Sequence, residues 1–83
     1  MKKGDKVIVN STGEETEVIA MPGDEEYESR GFVDSLDRPG AMFKPVKGLL
    51  TEISLAYLQG IKERGWYWAY QDEVTVKEGT NDH

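Results

Sequence analysis

Apolar residues recur at strand spacing along the first third of the chain. Lys6-Val7-Ile8-Val9, following Gly4-Asp5, reads as a first strand. Thr16 to Met21 reads as a second, with Thr16, Val18 and Ala20 on one face and Glu17, Ile19 and Met21 on the other. The intervening Asn10-Ser11-Thr12-Gly13 has turn composition, because these residues tolerate left-handed backbone or bond to it locally. A hairpin is therefore predicted. Pro22-Gly23 closes it, with proline fixing φ at the second turn position and glycine supplying positive φ at the third.

A solvated acidic loop is expected from Asp24 to Arg30, with Tyr27 its single large apolar group. Gly31 to Leu36 reads as a third strand, Phe32 and Leu36 sharing a face, and Pro39-Gly40 repeats the turn chemistry of Pro22-Gly23. Ala41 to Val46 fits extended chain, placed at an edge because Pro45 cannot donate to a ladder. Residues 49–64 fit two patterns. Leu50, Ile53, Tyr57 and Ile61 make a helical stripe ending before Gly65, whereas Ile53, Leu55 and Tyr57 alternate as a strand would. Gly60 inside a helix costs about 1 kcal/mol, which favours the strand.

The chain then concentrates its aromatic residues in Trp66-Tyr67-Trp68-Ala69-Tyr70, followed by the polar Gln71-Asp72-Glu73 and by Val74-Thr75-Val76. Aromatic and β-branched runs suit a pleated, half-buried surface, so two strands joined by one tight polar turn are predicted. In the first of them Trp66, Trp68 and Tyr70 face one way, toward the core, and Tyr67 faces the other. The piece after residue 77 has no apolar residue and is expected to fray.

Eighty-three residues fit one domain, expected over residues 1–77 with a disordered tail at 78–83. A domain of this size hides only about 60% of the surface that its unfolded chain exposes, so every large side chain counts. The chain has no cysteine, which excludes disulfides and zinc-thiolate sites and fits a cytoplasmic setting. No apolar run approaches the roughly 20 residues of a membrane span, and Met1-Lys2-Lys3 leads into Gly4-Asp5 instead of a signal-peptide core.

Charge sharpens this picture. Glu14, Glu15, Glu17, Asp24, Glu25, Glu26 and Glu28 carry seven negative charges with no cation among them, against a net charge of −6 for the whole chain. An almost neutral body thus bears one acidic segment, and a basic partner is what its field attracts. Nucleic acid is disfavoured as a partner for the whole surface, because that affinity comes largely from Lys and Arg displacing counterions.

The order of elements resembles an SH3-like small barrel: hairpin, long polar loop, further strands, and an aromatic strand separated by a short turn from a last strand. Tyr70-Gln71-Asp72-Glu73-Val74 falls where such barrels carry a single helical turn. The resemblance implies a mainly β fold of five to six strands, with one helix in 49–64 as the variant. Lys3-Gly4-Asp5-Lys6-Val7-Ile8-Val9, with Thr12-Gly13, is similar to the opening of KOW-type barrels, which often bind nucleic acid or ribosomal and transcription proteins. Those hairpins usually bring basic residues after the first turn, where this chain has Glu14-Glu15-Thr16-Glu17. In general type the chain also looks like small acidic accessory proteins of bacteriophages, which implies an inhibitor or modulator of a host protein.

The expected function is a non-enzymatic protein-binding module for a basic surface on a larger protein. Its candidate contacts are Asp24, Glu25, Glu26, Tyr27, Glu28 and Tyr67, since tyrosine couples apolar area to a polar tip at interfaces. The alternative is KOW-like nucleic-acid or ribonucleoprotein binding through Arg38, Phe43, Lys44 and Lys47. An enzyme is not expected. His83 stands alone near the chain end without a cysteine, no glycine-rich phosphate loop is present, and the spacing of a calcium loop is absent. No cofactor or metal is implied.

Overall fold

A computed structural model describes residues 1–32, 37–50 and 65–77. Five antiparallel strands dominate it: β1 (Lys6–Val9), β2 (Glu15–Ala20), β3 (Gly40–Phe43), β4 (Tyr67–Tyr70) and β5 (Val74–Val76). A single helical turn, α1 (Glu25–Glu28), and 3₁₀ turns at Lys47–Leu49 and Gln71–Glu73 complete the described elements. The protein is mainly β, as its strand patterning predicts. The strand expected over Gly31 to Leu36 and the ambiguous segment 49–64 lie outside the described residues for positions 33–36 and 51–64, as does the tail 78–83.

The β1–β2 hairpin forms where alternation places it. Val7 and Val9 point inward from β1, and Thr16 and Val18 from β2. Gly13, at φ +78°, closes the loop by donating its N–H to the Val9 carbonyl at 2.7 Å. Thr16 is buried, and its hydroxyl donates to the Lys44 carbonyl at 2.7 Å, which leaves the group satisfied.

Strand order is β4-β3-β2-β1-β5, so the two last strands lie at opposite edges of one sheet. They are joined only by Gln71–Glu73. Laid flat, five strands would separate those edges by about 19 Å at the usual inter-strand spacing. Three residues of 3₁₀ turn advance only about 6 Å. The sheet must therefore curl strongly, and it does so without pairing β4 to β5. The aromatic stretch and the final Val-Thr-Val are two strands joined by a tight turn, as expected, but each has a different neighbour.

Two apolar clusters result. The first lies inside the curl and contains Val7, Val9, Val18, Ala41, Phe43, Leu49, Ala69 and Val74. The second lies on the other face of β3 and β4 and contains Ala20, Tyr27, Met42, Trp66 and Trp68. β3 is buried along its whole length because alternate residues feed alternate clusters. A bulge lets β2 serve both. Val18 pairs with Phe43 and Ala20 with Met42, two residues of β2 against one of β3. The phase of the strand reverses there, so Ala20 joins the second cluster and Met21 packs on the first. Simple alternation, which put Ala20 with Val18, fails at that point.

The two Pro-Gly pairs have different roles. Met21 to Asp24 is the predicted turn, with Gly23 at φ +102° and the Asp24 N–H donating to the Met21 carbonyl at 2.9 Å. Gly40 instead begins β3 without a positive φ and lies directly against the Trp68 indole, where a Cβ would overlap the ring. Its smallness serves close packing and not a turn.

Among the described residues no helix is long and apolar enough to cross a membrane.

Candidate acidic interface

The segment expected to be a solvated loop is more ordered than its composition suggests. Asp24 Oδ2 accepts from the Met21 N–H at 2.8 Å, and Glu28 Oε2 accepts from the Gly23 N–H at 2.9 Å, so both carboxylates support the turn that leads into α1. Tyr27 then drives the helical turn into the sheet. Its ring is 1% exposed, packs 4.8 Å from Phe32, and its hydroxyl accepts from Trp68 Nε1 at 3.0 Å. Tyr27 is thus a core residue, and the expectation of an exposed tyrosine anchor is corrected. Composition could not reveal this, because the partner, Trp68, lies 41 residues away.

The remaining acids divide in the same way. Glu14 Oε1 accepts from the Gly48 N–H at 2.8 Å and the Thr12 hydroxyl at 2.9 Å, fastening the hairpin loop to the Lys47–Leu49 turn. Glu17 pairs with Lys6 at 2.8 Å and Lys44 at 3.2 Å, and Glu15 with Lys77 at 2.8 Å. Those hydrogen-bonded ammonium groups hold the Glu15 and Glu17 carboxyls below their ordinary pKa, and the same contact with Glu17 raises that of Lys6. Of the seven acids between positions 14 and 28, only Glu25 and Glu26 have carboxylates with no hydrogen-bonding or ionic partner among the described residues, their carbonyls accepting from Ser29. Both are exposed, and with Lys3, Asp24 and Ser29 they line a shallow depression of about 480 Å³. No group of three or more metal-ligating side chains suited to an ion occurs among the described residues.

Tyr67 is half-buried and packs against both apolar clusters, so only part of its ring is available to a partner. The alternative basic set is not brought together as an open surface. Phe43 is fully buried and has no face for a base to stack on. Arg38 forms a two-pronged pair with Asp72, both bonds at 2.8 Å, while its guanidinium lies 3.8 Å from the centre of the Tyr70 ring. The hydrogen bonding between Arg38 and Asp72 raises the Arg38 pKa and lowers that of Asp72. Lys44 is engaged by Glu17, which leaves Lys47 as the member of the set without an ion pair among the described residues. A feature that sequence reasoning missed is Arg30, stacked 4.8 Å over the Trp66 ring.

These elements define a mainly β protein of five antiparallel strands with an acidic helical turn braced against its outer face. Compared with family models, curated proteins and solved structures, the chain matches none.

Proposed function

We propose that this chain is a non-enzymatic, SH3-like protein-binding module that presents the acidic turn α1 to a basic surface on a larger protein. The observation that carries the reading is the division of labour among the acids. Asp24 and Glu28 brace the turn and Tyr27 anchors it, while Glu25 and Glu26 are exposed and their carboxylates have no internal partner among the described residues. Two uncommitted charges on an anchored turn lose little conformational freedom when a cationic partner docks, and preorganisation of this kind favours affinity. The strand order, with a 3₁₀ turn between the last two strands, supports the SH3-like assignment. The phage-type modulator role rests on resemblance alone.

The test is capture of partners from a host lysate with the wild-type chain and with Glu25→Lys combined with Glu26→Lys, at low and moderate salt. A protein retained by the wild type and lost from the variant, with binding weakened by salt, is the expected result. Identical captures by both chains would overturn the reading. A mobility shift with RNA or DNA that survives the charge reversal would move the assignment to the KOW-like alternative.

A further inference from the structure

β5 is joined to the fold in a way that leaves its supplier unspecified. Val76, Thr75 and Val74 pair with Val7, Ile8 and Val9, and Val74 is buried in the first apolar cluster. The Lys77 N–H donates to the Lys6 carbonyl at 3.0 Å, and Lys77 Nζ to Glu15 at 2.8 Å. The Thr75 hydroxyl donates to Asn10 Oδ1 at 2.7 Å. Each of these polar contacts and strand pairings joins the end of the chain to the β1–β2 hairpin, and none to β4, although β4 immediately precedes it. We propose that β5 is exchanged between two copies of this chain: the Gln71–Glu73 turn extends, and each copy's last strand pairs with β1 of the other.

Exchange conserves most of the contacts of the closed form. In the exchanged dimer the β1–β5 pairs and the Val74 burial are all remade, so the closed form is set apart only by its turn and by its unimolecular closure. The turn has its own fastenings: Gln71 N–H to the Pro39 carbonyl at 2.9 Å, Gln71 Nε2 to the Gly40 carbonyl at 3.0 Å, Asn10 Nδ2 to the Asp72 carbonyl at 3.1 Å, and the Arg38–Asp72 fork. Closure through a short connection corresponds to an effective concentration in the millimolar range. The monomer therefore prevails when dilute and the dimer is reached on concentration. Removing two of the three turn residues leaves a link too short to carry the chain from one edge of the sheet to the other, and short hinges of this kind invite exchange.

The absence of native cysteine provides a direct test. Full-length chains carrying Ile8→Cys and Thr75→Cys separately, at positions that face each other across β1 and β5, are unfolded, mixed, refolded at about 1 mM and oxidised. Exchange predicts a covalent heterodimer several-fold in excess over both homodimers. Monomers alone, or homodimers and heterodimer in random proportion, would overturn the proposal. Deletion of Asp72 and Glu73 should lower the dimer dissociation constant by about a hundredfold or more, read by sedimentation. A deletion variant that remains a folded monomer would also overturn it, and if the variant fails to fold, the cysteine experiment decides alone.

Discussion

Gly40→Ala is expected to destabilise the protein by about 1–2 kcal/mol. The new Cβ would overlap Cζ2, Cε2 and Nε1 of the Trp68 indole, so the ring or β3 must move. The ring has little room to do so. It is 2% exposed, its Nε1 donates to the Tyr27 hydroxyl, and the Tyr70 and Phe32 rings stand 4.9 and 6.2 Å from it. Forcing extra carbon into a filled core costs about 1–3 kcal/mol. Alanine restricts the unfolded chain more than glycine does, which returns about 0.4–1 kcal/mol where the backbone accepts it, as this strand position does. For a domain of this length each kcal/mol shifts Tm by about 4–8 °C, so a fall of about 5–15 °C is expected. Far-UV circular dichroism should follow the transition, since the substitution will disturb tryptophan fluorescence directly. In a Trp68→Leu background the same change should be nearly neutral, giving a coupling of about 1 kcal/mol or more. An unchanged or raised Tm for Gly40→Ala would refute the packing argument. Gly23→Ala tests the other mechanism: nothing crowds that position, and its cost comes from φ +102°, so Gly23→Asn should be milder than Gly23→Ala.

The acids make two further predictions. Asp24→Ala and Glu28→Ala should each lower stability by about 1 kcal/mol by removing a hydrogen bond to the turn. Glu25→Ala and Glu26→Ala should leave stability unchanged within about 0.5 kcal/mol, as surface substitutions do, which chemical denaturation will measure. Acidification should weaken the fold through the ion pairs. The Asp72, Glu15 and Glu17 carboxyls are depressed, so their stabilisation is present above the unfolded carboxyl range near pH 4 and is lost as pH falls through the lower folded values. An Arg38→Gln variant should lose less stability than the wild type between pH 5 and about pH 2, and the difference should shrink in salt because the pair is exposed. Equal acid sensitivity of the two proteins would exclude a contribution from the Arg38–Asp72 pair.

What could be read from the chain was whatever depends on near neighbours. Val7 and Val9 alternate with Lys6 and Ile8, and the turn composition of residues 10–13 leaves few other ways to continue, so the first hairpin follows from local rules. Tyr67 to Val76 is legible for the same reason, as two strands and a turn. The partner of each strand is not legible there, because which edge β5 joins is fixed by the curl of the entire sheet. The bulge between Val18 and Ala20 leaves no local mark either: the residues alternate correctly, and only the pairing with Met42 and Phe43 reverses their phase.

The acidic segment shows how the same limit affects a reading of function. As a string it is seven charges without a cation, and every one of them looks equally available. In the fold, backbone N–H groups of Met21, Gly23 and Gly48 and the ammonium groups of Lys6, Lys44 and Lys77 take up five of them. All three lysines lie outside the segment, which is why counting charge within it overstated the free field. Tyr27, surrounded by acids in sequence, is drawn inward because its ring reaches Phe32 and its hydroxyl meets the Trp68 indole. Burying that one side chain converts a polar run into a braced turn with two outward carboxylates. The candidate interface is consequently narrower than the sequence suggests, and perturbing Glu25 and Glu26 alone separates recognition from stability in a way that altering Asp24, Tyr27 or Glu28 would not.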